Sequence, residues 1–147
     1  MEIFKIKSKQ NQDAVDLLED SKLYTPAVNS TYYCTLQLII YYFYRFCCNE
    51  EEYDNVQSDI SQAKGSSHVY YSNKIVFEIK NNLHDRVSAA EFIKIFNRFK
   101  AFRNECDYSK KEITSEELKN AKDYSNKINT FIKECFEHGK SERKNLQ

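Results

Sequence analysis

Three histidines, His68, His84 and His138, are the side chains of this 147-residue chain whose ordinary pKa suits proton transfer near neutral pH. His68 stands ahead of an apolar helical run, and His84 is followed by Asp85 and Arg86. The two would act as an acid–base pair if folding brought them together; without fixed spacing, histidines more often cap helices or face solvent. Arg103 and Asp107 are one helical turn apart, the spacing of an ion pair, and Tyr108 follows where it can close the helix end. Glu50, Glu51 and Glu52 are consecutive and point in different directions on a helix, a poor oxygen cage for a cation. Cys135 and His138 have ligand-like spacing, yet no second such pair completes a zinc site, so neither metal nor other cofactor is expected. No Ser/His/Asp or Cys/His arrangement is legible.

The elements that must position these groups read as helices. Two glycines and one proline are too few for a turn-rich β-sandwich or a Gly-rich phosphate loop, and the pattern asks for an all-α, up-and-down bundle of five or six helices in one domain, 1–147. The most apolar stretch runs from Lys22 to Cys48. Thr25 is placed to cap it and Pro26 to occupy its first turn, and aromatic or aliphatic groups lie on nearly every side, so it is expected as a central helix wrapped by the others. A short amphipathic helix is expected over Asn11–Ser21, with 1–9 frayed. A weaker one follows over Glu50–Lys64, then a loop at Lys64–Ser67, then a helix from His68 to Leu83 whose VYY and IVF triplets locally resemble strand. Ser88 to Glu91 reads as a capping box opening a helix with Phe92, Ile95, Phe96, Phe99 and Phe102 inward; Thr114 to Glu117 reads as a second, opening a helix that runs to about His138 and stops at Gly139. Residues 140–147 are expected to fray.

Twenty-two basic and twenty-two acidic side chains cancel, so no global field favours nucleic acid or an anionic membrane. Lys94, Arg98, Lys100 and Arg103 put positive charge along one helix, which reads first as a solvated face. The run from Tyr32 to Cys48 is as long as the shortest spanning helices, but Gln37, Arg45 and five tyrosine hydroxyls argue against hydrocarbon, and no membrane partner is expected. Five cysteines without CxxC spacing and a start without an apolar leader suit reduced thiols in a cytoplasm.

Three stretches together resemble the HEPN superfamily, the higher eukaryotes and prokaryotes nucleotide-binding domain. LYTPAVNSTYYCTL is similar to its second-helix pattern through Tyr24, Ala27, Asn29, Tyr32 and Tyr33. SSHVYYSNKIVFEI is similar to the region where the family often places a His, and FRNECDY with the following helix resembles its closing pattern. The resemblance spans about Gln10 to Glu137. It implies a helical bundle, a homodimer, and for many members a metal-independent ribonuclease built on Arg, four to six residues, then His. Here Arg103 and Asn104 resemble the opening of that motif, while Tyr108, Ser109 and Lys110 stand where the His would fall.

With that His missing, the resemblance implies a non-catalytic module acting by dimerisation and partner binding, as in toxin–antitoxin, nucleotidyltransferase-associated or phage-defence systems. A divergent ribonuclease would draw on Arg103, Asn104, Tyr108, His68 and His84, although a phenol with a pKa of about 10 is a poor base at neutral pH. A third expectation is a nucleotide or small-ligand site in a cleft between helices, lined by tyrosines such as Tyr32 and Tyr33 that hold a base and edged by Lys and Arg side chains that hold a phosphate, with Arg98, Arg103, Asp107 and Tyr108 the further binding candidates and RNA a possible partner.

Overall fold

In the computed structural model, which describes residues 1–63 and 65–138, six α-helices are present and strands are absent among the described residues. The helices are α1 (Glu2–Asp20), α2 (Tyr24–Tyr42), α3 (Tyr53–Gln62), α4 (Ser67–Phe77), α5 (Arg86–Tyr108) and α6 (Ser115–Lys133). Three of them end in a widened π turn: Phe43–Cys47 after α2, Glu78–Asn82 after α4 and Glu134–His138 after α6. A single 3-10 turn, Glu50–Glu52, leads into α3. The sites expected at Gly139 and in 140–147 lie outside the described residues.

Helix α1 starts nine residues before the expected Asn11, and 1–9 are largely helical rather than frayed. Phe4 and Ser8 explain this. Both continue the buried face of Val15, Phe4 stacking on Tyr44 with ring centroids 5.7 Å apart and the Ser8 hydroxyl donating to the Cys34 carbonyl at 2.8 Å. The N-terminal ammonium also pairs with Glu50. The chain then turns into α2 through Lys22, whose φ of 57° lets Leu23 N–H reach the Leu18 carbonyl at 2.8 Å.

That turn is tight enough for α2 to begin at Tyr24, one residue before the expected cap. Leu23 takes the N-cap position without a side-chain bond, its carbonyl accepting from Ala27 N–H at 3.1 Å, so Thr25 is not the cap. Pro26 still lies in the first turn, where its missing N–H removes no helical bond. Along α2, Ala27, Val28, Tyr32 and Ile39 are fully enclosed, with α1, α4, α5 and α6 packed around them. This is the wrapped central helix that its composition demanded.

The α6 capping box is present, with Thr114 and Glu117 exchanging bonds across the first turn. At α5 the expected box at Ser88 is not the start. Asp85 is the N-cap, accepting from Ser88 N–H at 2.9 Å, and Arg86 is the first helical residue. Asp85 is positioned by His84, whose φ of 52° reverses the chain after the π turn so that Asp85 N–H bonds the Ile79 carbonyl. The Phe92, Phe96 and Phe99 stripe is core; Ile95 and Phe102 are only half-buried because they face the α5–α6 groove. Phe136, in the terminal π turn, stacks on Phe46 and closes the ends of α2 and α6 together.

Candidate functional site

Asn29, Tyr32 and Tyr33 occupy one side of α2 at helical spacing, and Arg103 and Asp107 occupy the facing side of α5 one turn apart. The start of α4 brings His68 to the same place, because Ser66 caps that helix by accepting from Val69 N–H and so fixes the first turn. Five residues that the sequence nominated, Tyr32, Tyr33, His68, Arg103 and Asp107, therefore meet where three helices converge.

The guanidinium carbon of Arg103 is 4.8 Å from the centre of the Tyr32 ring and 5.7 Å from that of Tyr33. A planar cation over aromatic faces is held electrostatically, and more strongly when partly desolvated. Arg103 also pairs with Asp107 at 3.6 Å, and Asp107 in turn accepts from the Asn29 amide, which donates a second bond to the Thr25 carbonyl. The Arg103 side chain is only 15 % exposed, and its Nε has no hydrogen-bond partner among the described residues. Arg103 thus leaves the solvated basic face expected for it, on which Lys94 and Arg98 remain.

His68 Nδ1 lies 2.9 Å from the hydroxyl of the fully buried Tyr32. Burial pushes the Tyr32 phenol well above its usual range, so it is neutral and its hydrogen needs an acceptor. Arg103 offers only donors. The bond is best satisfied with Tyr32 donating to Nδ1, which leaves the imidazole hydrogen on Nε2. Burial first, then the positive charges of Arg103 and Lys100, hold the His68 pKa below its ordinary value. At neutral pH the ring is therefore an uncharged donor beside two cations, partly offset by one carboxylate. This arrangement is fitted to hold an anion.

The remaining candidates lie elsewhere. Tyr108, 85 % exposed, ends α5. Arg98 lines a groove with Phe102, Asp123 and Tyr124 against α6. Asn104 has no hydrogen bond within the cluster. His84 sits at the far end of the α4 rod from His68, about 20 Å along a helix at 1.5 Å per residue, beside Lys80 and Asp85 in a separate cleft. The His68–His84 pair that would have done acid–base chemistry is therefore not formed. Two participants were not nominated as site residues, Asn29 and Lys100. Asn29 carried a signal, being one turn before Tyr32 and Tyr33; Lys100 became relevant only through the packing of α4 on α5.

Among the described residues, no helix is long and apolar enough to cross a membrane, and no three His, Cys, Asp or Glu side chains gather as a metal site would require. Cys34, Cys47, Cys48, Cys106 and Cys135 are all free thiols. Comparison with protein-family models, with curated proteins and with solved structures found no match.

Proposed function

We propose that this protein is a non-catalytic helical module of the HEPN kind that its sequence resembles, and that it works by recognising a phosphate group, of a nucleotide or an RNA, at the Arg103–His68 cluster. One observation carries the reading: the Tyr32 hydroxyl lies 2.9 Å from His68 Nδ1, so that with Tyr32 donating, the lone pair by which His68 would abstract a proton is engaged, while Arg103, Lys100 and the hydrogen left on Nε2 are all suited to donate. Donors converging on one place recognise anions; a general base needs a free acceptor. Tyr33, 36 % exposed at the edge of the cluster, offers an aromatic surface to a base.

Thermal-shift titration against a nucleotide panel, short single-stranded RNA and inorganic phosphate tests this. Stabilisation is expected for the wild type and is abolished in Arg103→Ala. If no ligand in the panel stabilises the wild type at millimolar concentration, the reading fails.

The proximity of His68 to Arg103 favours a second reading, a metal-independent ribonuclease in which ligand binding displaces Tyr32 from Nδ1 and frees a neutral base. It requires cleavage of single-stranded RNA in the presence of a chelator, lost in both His68→Ala and Arg103→Ala. Intact RNA after prolonged incubation with the wild type removes it.

A further inference from the structure

We propose that the surface groove between α5 and α6 docks one amphipathic helix of a different protein, a helix that presents a basic, an apolar, an acidic and a second apolar side chain at i, i+4, i+7 and i+11 of one face. The inference stands apart from the phosphate site. The two helices run antiparallel, with Phe92 by Phe131 at one end, ring centroids 6.3 Å apart, and Phe102 by Tyr124 at the other, 5.7 Å apart. Two hollows of about 470 and 400 Å³ lie along their seam and share Lys127 as a common wall. From α5 the lining takes Glu91, Ile95, Arg98 and Phe102, at intervals of four, three and four residues and so on one face. From α6 it takes, in the opposite direction, Glu134, Phe131, Lys127 and Tyr124.

The groove therefore presents four steps: acidic at Glu91 and Glu134, apolar at Ile95 and Phe131, basic at Arg98 and Lys127, and apolar again at Phe102 and Tyr124, with Asp123 on the rim of the last. The apolar side chains are only half-buried by their own chain. Glu91, Glu134, Arg98 and Lys127 are exposed, and none of them has an ion pair or hydrogen bond among the described residues. Each charged step thus sets like charges together with no counter-charge, and a partner of opposite sign relieves both. A helix lying along the groove for about 16 Å offers side chains on one face at the same intervals as these steps. Its apolar groups fill the second and fourth steps, its basic group meets the two carboxylates, and its acidic group meets Arg98 and Lys127. No stretch of this chain carries that order at those intervals, read in either direction, so a second copy does not supply the helix.

The test is fluorescence anisotropy of the full chain with two labelled alanine-based helical peptides, one carrying Lys, Leu, Glu and Leu at the four positions and the other Lys, Leu, Lys and Leu, each made in both sequence directions. The wild type is expected to bind the first, in one direction, roughly ten-fold or more tightly than the second, because the second sets a lysine against Arg98 and Lys127. Arg98→Glu combined with Lys127→Glu is expected to invert that preference with circular dichroism unchanged, both positions being exposed. Replacing both leucines of either peptide by alanine is expected to abolish binding, which separates docking from general charge attraction. Arg103→Ala is expected to leave peptide binding unchanged. Absence of saturable binding of the first peptide in either direction overturns the proposal, as does a preference that the paired glutamate variant leaves as it was. Sedimentation equilibrium showing a wild-type oligomer that the paired variant dissociates also overturns it, since a second copy would then occupy the groove.

Discussion

The Arg103 guanidinium lies 4.8 Å over the ring of Tyr32, so that a cation on α5 is seated on an aromatic face of the central helix. The same Tyr32 holds His68 through its hydroxyl. A single buried phenol therefore fixes both members of the candidate anion site: its ring places one and its hydroxyl sets the tautomer of the other.

Removing only that hydroxyl separates the two roles. Tyr32→Phe is expected to cost about 1 kcal/mol, a typical net hydrogen-bond contribution, and to let the His68 hydrogen move between its two nitrogens. Tyr32→Ala also removes the ring and is expected to cost about 3–5 kcal/mol, the range for deleting a buried aromatic. Urea unfolding gives both values, and imidazole nitrogen shifts in the Phe variant report the tautomer. An unchanged Nε2–H signature in Tyr32→Phe would refute the assignment.

Arg103→Lys keeps the charge but not the planar fork that lies on two rings. Its affinity for phosphate-bearing ligands is expected to fall at least several-fold while His68 stays depressed, because a cation remains nearby. Arg103→Gln removes the charge and should raise the His68 pKa, as read by proton NMR titration. Equal His68 titration in wild type and Arg103→Gln would remove Arg103 from the causes and leave burial and Lys100.

Stability should fall on mild acidification. Because His68 is held below its ordinary pKa, the unfolded chain binds a proton that the folded one refuses; stability is intact above the ordinary histidine range and declines as pH drops from that range towards the folded value. In His68→Gln this part of the slope disappears. Paired denaturation curves between neutral and mildly acid pH measure the difference, and parallel profiles would contradict it.

Residue His84 is predicted to be a turn residue whose identity is dispensable. At φ 52° a side chain is disfavoured and glycine is not, so His84→Gly should stabilise by about 1 kcal/mol and leave ligand-induced shifts unchanged. Loss of ligand binding in this variant would restore His84 to the site.

The start of α5 distinguishes two cap assignments. Asp85→Ala is expected to cost about 1 kcal/mol, the usual loss for an N-cap, and Ser88→Ala clearly less. Thermal melts ranking the two in the reverse order would return the cap to Ser88.

Much of the fold was legible in the residues. The all-helical class, the enclosed central helix, the phenylalanine stripe of α5 and the Thr114 box follow from periodicity and local capping chemistry, which act over a few residues and leave their mark in the string. Where the expectation slipped, a distant partner decided. Residues 1–9 look polar enough to fray until Phe4 finds Tyr44, forty residues on. Thr25 and Ser88 are good local caps, displaced because left-handed turns at Lys22 and His84 bring other residues to the helix starts.

By itself the sequence determined which side chains belong to one helix face: Asn29 with Tyr32 and Tyr33, Arg103 with Asp107. Only the tertiary structure decided that these faces meet, that His68 rather than His84 joins them, and that Arg103 turns inward. The reason is one of range. Helical spacing is set by the backbone hydrogen bonds of neighbouring residues, whereas the meeting of α2, α4 and α5 depends on how apolar faces far apart in the chain are buried together.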